Sequence, residues 1–335
     1  MKYLFSTFIL LLSLFSVHGQ TAADSLIILG AQYFDNGQYK EAIEKYKQAL
    51  ELDPESDLVH YELAYTYLQS GNYERSIEHS DIVLTSSMED NLLLGAYNTK
   101  GSALNSLGRT DEAIKILKEG IEKYSENYLL YYNLAMAYYK AKDYDQSEEA
   151  FIHVLDLHPY HSSSHWGLAR IKAEQGKRVQ SILSSYFFLF VETETYRSEY
   201  VYNTLKNIMT GNGNNSQHIN TLEADSEFKA ADLMLNALSA TGQQEENKDK
   251  TEEEIFIKNT KSFFNILAKE NNESKSTNNI WWGFYVSFFS DIVQSEHIDT
   301  FCYYISQNGN DSAREWINDN TDKLKKFDKW LQGEN

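Results

Sequence analysis

A repeat of thirty-four residues constrains this chain more than any other feature. Blocks starting at residues 23, 57, 94, 128 and 162 align column by column, with one three-residue insertion between the second and third. An apolar residue followed by a small one recurs at Leu29-Gly30, Leu63-Ala64, Leu134-Ala135 and Leu168-Ala169, with Lys100-Gly101 as the weaker member. Three residues later come Tyr33, Tyr67, Leu104 and Tyr138, with Lys172 as the exception. A glycine follows at Gly37, Gly71, Gly108 and Gly176, replaced by Lys142 in the fourth block. A small residue then recurs at Ala42, Ser76, Ala113, Ser147 and Ser181.

These columns describe two amphipathic helices per block, joined at a glycine able to end a helix in the left-handed conformation. Small residues let the two backbones approach, and large rings fill the space beside them. The chain has only two prolines, Pro54 and Pro159, and each stands where a second helix must stop. One such hairpin cannot bury its apolar face alone, so neighbouring hairpins must stack.

The pattern resembles the tetratricopeptide repeat family, most clearly in QYKEAIEKYKQALELDP of the first block. The resemblance covers residues 23–195, as repeats 23–56, 57–90, 94–127, 128–161 and 162–195. The fifth keeps its first helix but departs from the pattern in its second. The fold expected is all-α: a tetratricopeptide solenoid (an α-α superhelix) followed by a smaller helical C-terminal domain. Residues 196–210 read as a helix closing the array, 211–225 as a Gly/Asn-rich linker, and 226–335 as the C-terminal domain. Within that domain the apolar periodicity predicts helices over residues 226–240, 251–269, 280–293, 298–306, 312–318 and 321–331.

The resemblance implies a protein or peptide partner in a concave face lined by the first helices. The residues of those helices not used by the packing columns supply the candidate groove: Phe34, Tyr61, Tyr65, Asn98, Asn105, Tyr132, Tyr139, Trp166 and Arg170. Tyrosine and tryptophan give contact area at low entropic cost, and asparagine can bond an extended backbone. Relatives that bind chaperone tails clamp a terminal carboxylate with paired lysines, which are missing from this groove. Self-association through the ends of the array is a further expectation.

The chain has 30 Lys and Arg against 49 Asp and Glu, a formal charge of −19. It therefore repels phosphate backbones, and no nucleic-acid partner is expected. Met1 to Gln20 places Lys2 before an apolar run from Phe8 to Val17 and small residues near Gly19, the layout of an export signal. The run is shorter than the ~20 residues a bilayer span requires. Cleavage near Gly19, residence in the periplasm or cell envelope of a Gram-negative bacterium, and no stable membrane insertion afterwards are the expectations.

No catalytic residue, metal ligand set or cofactor is expected. His158, His161 and His165 lack a carboxylate in a zinc-type arrangement and are read as solvated turn residues. Cys302 lies in an apolar setting and reads as buried and inert. Glu252 to Glu254 reads as the acidic start of a helix. The adjacent Trp281 and Trp282 admit two readings, a buried core helix or an exposed docking patch. The function expected is a non-enzymatic interaction scaffold. The alternative is an enzyme or small-molecule binder whose activity lies in the C-terminal domain, with the repeats as recruiter.

Overall fold

The structure, a computed structural model, describes residues 22–87, 89–211, 227–241, 250–271 and 279–334. The expected export signal and the linker beyond Gly211 lie outside the described residues. Among those residues every regular element is helical. The chain divides into two compact units, one up to Leu157 and one from His158 onward.

The first unit contains four hairpins. They are α1 (residues 22–35) with α2 (Tyr39–Leu52), α3 (Asp57–Gln69) with α4 (Tyr73–Ser86), α5 (Asp90–Ser106) with α6 (Thr110–Lys123), and α7 (Tyr128–Ala141) with α8 (Tyr144–Leu157). First helices pack side by side, α3 on α5 and α5 on α7, so they share one face of the unit. The three-residue insertion is absorbed as an extra opening turn: α5 has 17 residues where α7 has 14. Tyr124 Oη uses that turn, donating to Asp90 Oδ1 at 3.0 Å.

The turn column ends each first helix in the same way. Gly37, Gly71 and Gly108 have φ of 72°, 80° and 81°, and Lys142 is held in the same left-handed region at 62°. Paired closing bonds form each time, as in Gln38 N–H to Tyr33 O at 2.9 Å and Asp143 N–H to Tyr138 O at 3.0 Å.

The small-residue column proves to be a bonding position as well as a spacer. Ser76 Oγ donates to Ala64 O at 2.8 Å and Ser147 Oγ to Ala135 O at 2.7 Å. In the second unit Ser181 Oγ donates to Ala169 O at 2.8 Å. Each bond staples a second helix to the first-helix backbone that it faces.

In blocks one and three the other small column is a glycine pressed by a large side chain sixteen residues later, whereas block four combines Ala135 with Phe151 at that spacing. A Cβ on Gly30 would come within 2.6 Å of the Tyr46 ring, and one on Gly101 within 2.5 Å of Leu117. Blocks two and five have Ser80 and Ser185 at that later position and carry Ala64 and Ala169 instead. Gly101→Ala should therefore destabilise the first unit by ~1–2 kcal/mol, overpacking against fully buried Leu117 outweighing the ~1 kcal/mol of helix propensity gained. Urea unfolding followed by circular dichroism measures this, and an unchanged or higher midpoint would contradict it.

The second unit begins with α9 (Ser162–Glu174) and α10 (Arg178–Val191) and continues with α11 (Tyr196–Thr210), α12 (Lys229–Thr241), α13 (Glu252–Asn271), a π-helical turn (Trp281–Val286) running into α14 (Ser287–Gln294), α15 (Ile298–Ser306), α16 (Asp311–Asp319) and α17 (Thr321–Leu331). The fifth hairpin thus sits inside this unit, and its departure from the repeat pattern has a physical cause. α10 buries Val179, Ile182, Leu183, Tyr186, Phe187, Phe188 and Leu189, so it is apolar almost all round. It packs on α9, α11, α12, the π turn and α15. A helix in that position is a central one, not the second half of an outer hairpin.

Polar staples hold the wrapping helices to this centre. Arg178 reaches α12 through Asp232 Oδ1 at 2.7 and 2.9 Å and Asn236 Oδ1 at 2.9 Å. Lys172, the exception in its column, is almost fully buried. Its ammonium lies 5.2 Å over the Trp281 ring, and it donates to Gln175 Oε1 at 3.2 Å.

The structure resolves the double tryptophan. The pair opens the π turn, and both indoles are packed against neighbouring helices as the adjacent Phe263 and Phe264 of α13 are. Trp281 and Trp282 are 4% and 2% exposed. Trp282 stacks on Phe228 at 4.8 Å and donates to Glu227 Oε1 at 2.7 Å. The docking-patch reading of this pair is overturned: both rings belong to the core.

Candidate functional site

In the first unit, the face made by the first helices starts with aromatic rings. Phe34 of α1 is half-buried, with its ring 5.4 Å from Tyr39 and 5.3 Å from Tyr65. Tyr61 and Tyr65, one turn apart on α3, lie nearly parallel with centroids 6.4 Å apart. Tyr61 has room because residue 95 is glycine: a Cβ there would come within 2.4 Å of its ring. Tyr65 is the most open of the three at 36%.

Two carboxylates accompany these rings. Glu62 of α3 accepts from Tyr46 Oη at 3.3 Å, and burial pushes its carboxyl above the usual range, against the pull of that hydrogen bond. The charge of Asp35, at the end of α1, pushes Glu62 further up. Burial and both carboxylates raise the Tyr46 phenol.

The centre of the face is an amide pair. Asn98 Oδ1 accepts from Asn133 Nδ2 at 2.9 Å, and its own Nδ2 donates to Leu94 O at 3.1 Å. Asn105 contributes differently: its Oδ1 is buried with no hydrogen-bond partner among the described residues, and its backbone carbonyl accepts from Lys140 Nζ. Tyr132 and Tyr139 follow on α7. Each is half-buried and rests partly on a second helix, on Phe151 at 6.0 Å and Tyr144 at 5.8 Å.

Trp166 and Arg170 are on α9, in the second unit. Trp166 is half-buried, with the guanidinium carbons of Arg170 and Arg197 each 5.1 Å from its ring centroid. Arg197 is also clamped by Glu192 at 2.5 and 3.0 Å and donates to Ser163 at 3.1 Å. The candidate residues therefore form a chain of neighbours within the first unit from Phe34 to Tyr65, an amide centre, and a separate indole–guanidinium cluster in the second.

The histidine reading needs correction. His165 is fully buried, not solvated. Its Nε2 donates to Pro159 O at 2.8 Å, and its Nδ1 accepts from Tyr285 Oη at 2.7 Å. Burial pushes this imidazole down to about 3. His60 occupies the matching place in the second block, its Nε2 lying 3.3 Å from Pro54 O and its Nδ1 2.9 Å from His79 Nδ1. His79 is pushed down to about 4, by burial first and by His60 second. Both histidines stand six residues after a proline, a signal present in the sequence but not used. Among the described residues no group of three or more His, Cys, Asp or Glu side chains is arranged to hold a metal.

Other ionisable groups of the second unit are tied internally. Tyr186 Oη pairs with Thr260 Oγ1 at 2.7 Å, and its phenol is pushed well up by burial. Tyr202 Oη donates to Glu253 Oε2 at 2.9 Å, so the acidic start of α13 is also a tertiary contact. Cys302 is fully buried, and burial pushes its thiol well above the ordinary value. A shallow depression of about 550 Å³ lies at the hairpin turns of the first two repeats, lined by residues such as Gln38, Tyr39, Gln69 and Asn72.

Family models match two stretches of the repeat region. Residues 30–79 match the family model described as TPR repeat, and residues 104–168 the one described as tetratricopeptide repeat, which supports that family for the repeat region. BBSome complex member BBS4 of Bos taurus is 31% identical over 118 residues, covering 35% of this chain and 22% of its own. The TPR repeat-containing protein MJ1428 of Methanocaldococcus jannaschii is 26% identical over 129 residues, covering 38% and 22%. The chain thus spans about a fifth of the length of these curated relatives. Similar solved structures include PilF of Pseudomonas aeruginosa, at TM-score 0.47 and 24% identity, covering 55% of this chain and 82% of its own. MamA of Desulfovibrio magneticus RS-1 has TM-score 0.44 and 18% identity, covering 51% and 94%.

Proposed function

We propose that this chain, whose repeat region matches tetratricopeptide models, is a non-enzymatic interaction scaffold that takes an extended protein segment on its first-helix faces. Proteins built from such repeats are generally interaction scaffolds. The observation that carries the specific reading is the run of partly exposed rings, Phe34, Tyr61 and Tyr65, leading to the Asn98–Asn133 pair. Rings with few rotors offer apolar contact at low entropic cost, and a row of amides can bond a strand's backbone. Trp166 and Arg170 offer a second contact on α9. The internal engagement of His165, Tyr186 and Tyr202 supports a structural rather than a catalytic role for the second unit.

The working site is the cell envelope of a Gram-negative bacterium, reached by export and cleavage near Gly19. This rests on the composition of residues 1–20. No described helix is long and apolar enough to cross a membrane. The mass of the mature chain recovered from an envelope fraction tests the cleavage.

Tyr65→Ala with Tyr139→Ala should abolish capture of envelope proteins that the unaltered chain retains, while leaving the helical signal in circular dichroism intact. An identical set of captured proteins would defeat the groove reading.

A further inference from the structure

We propose that the patch of Phe34, Tyr61 and Tyr65 receives a basic side chain, lysine or arginine, of an extended partner segment, with Glu62 and Asp35 as its counter-charges. This rests on the first-helix face being the docking face, and it specifies the chemistry of what docks there.

Ring faces carry negative charge density and attract cations, more strongly when water is excluded. Here Tyr65 lies against both Phe34 and Tyr61, and the same two helices, α1 and α3, carry the carboxylates Asp35 and Glu62. Glu62 is half-buried, and its only hydrogen-bond donor among the described residues is the neutral phenol of Tyr46. Neither Glu62 nor Asp35 forms an ion pair among those residues. Elsewhere in the unit Lys100 pairs with Asp81 at 2.5 Å, Arg75 with Glu78 at 2.6 Å and Lys45 with Gln48 at 3.2 Å.

Charge decides between the possible occupants. An acidic segment would meet two carboxylates on a unit where acidic residues outnumber basic ones by about two to one. A purely apolar segment would finish burying Glu62 with no compensating charge, which is costly. A basic side chain lies on the rings through its aliphatic stem and pairs its head with the carboxylates, so it satisfies both halves of the patch.

The test uses the full mature chain and three labelled dodecapeptides, acetyl-(Gly-Arg-Ala)4-amide and its Gln and Glu counterparts, with fluorescence anisotropy at low salt. The Arg peptide should bind ~10-fold more tightly than the Gln peptide, and the Glu peptide should be weakest. Glu62→Gln and Tyr65→Ala should each weaken the Arg peptide ~5-fold, whereas Tyr65→Phe keeps the ring face and should keep binding. Glu122→Gln, an equal charge change at an exposed position of α6, is the control and should leave binding within ~1.5-fold. Equal losses in Glu62→Gln and Glu122→Gln would mean attraction by the general field and would overturn the proposal. Tyr65-dependent binding that does not discriminate Arg from Gln would also overturn it, while leaving the docking face standing. Failure of all three peptides to bind would overturn it too, and the capture experiment then judges the broader reading separately. Unchanged thermal melts of each variant exclude misfolding as the cause.

Discussion

Phe187→Ala should cost the second unit about 4 kcal/mol, the upper range for truncating a buried ring. Phe187 is 1% exposed and stands where the wrapping helices converge on α10. Its ring centroid lies 4.4 Å from His165, 4.8 Å from Phe284, 5.0 Å from Phe288, 5.6 Å from Phe190 and 5.9 Å from Tyr285. A cavity among rigid rings closes poorly, so little of the loss can be recovered by relaxation. All five tryptophans, Trp166, Trp281, Trp282, Trp316 and Trp330, belong to the second unit. Tryptophan emission during urea unfolding therefore reports this unit alone. Tyr196→Ala, at a position 85% exposed, is the comparison and should change stability by less than ~0.5 kcal/mol. Equal shifts in the two variants would refute the central role of Phe187.

Mild acid should have the second large effect. His165 is neutral when folded and is pushed down to about 3, whereas an unfolded histidine titrates near 6.5. The unfolded chain therefore takes up a proton before the folded one can. Stability is fully present above pH 6.5 and falls progressively as pH drops toward 3, by on the order of 5 kcal/mol in total. The cause is geometric as well as dielectric. Both ring nitrogens are committed, Nε2 to Pro159 O and Nδ1 to Tyr285 Oη, and a second proton on the ring would deprive that phenol of its acceptor. Between pH 7 and 4.5 the second unit should lose about 2–3 kcal/mol more than a His165→Asn variant does, which starts lower but has no group to titrate there. Parallel pH profiles for the two proteins would rule this out. His79, pushed down to about 4, gives the first unit a weaker dependence of the same sign.

The repeats were legible because their physics is periodic. A glycine that closes a helix, a small residue under a crossing helix and a ring beside it recur at fixed spacing, and Gly37, Ala42 and Tyr33 declare them without reference to the rest of the chain. The helices of the C-terminal region were legible for a similar reason, α15 and α17 falling on residues 298–306 and 321–331 as their apolar patterning predicts. What could not be read was partnership across long sequence distances. Nothing near residue 165 announces that Tyr285 will bond it, so His165 reads as a turn residue. The double tryptophan is buried because its helix is covered on more than one side, and helical periodicity alone does not show how many sides of a helix are covered. At the candidate site the rings were visible as leftovers from the packing columns, whereas nothing in the repeat pattern singles out Glu62 or Asp35. Their significance comes from sharing α1 and α3 with those rings while forming no ion pair among the described residues.

The enclosed position of α10 has a practical consequence for anyone wishing to separate recognition from the remainder of the polypeptide. A natural cut by homology would follow the fifth hairpin, near residue 195. That cut would strip Tyr186 of Phe256, Phe264 and Phe289, and Phe187 of Phe284 and Phe288, leaving a greasy flank in water. Precipitation is the expected fate of such a fragment. A severed version should stop at Leu157, where the first compact unit ends, and so take only the four leading hairpins.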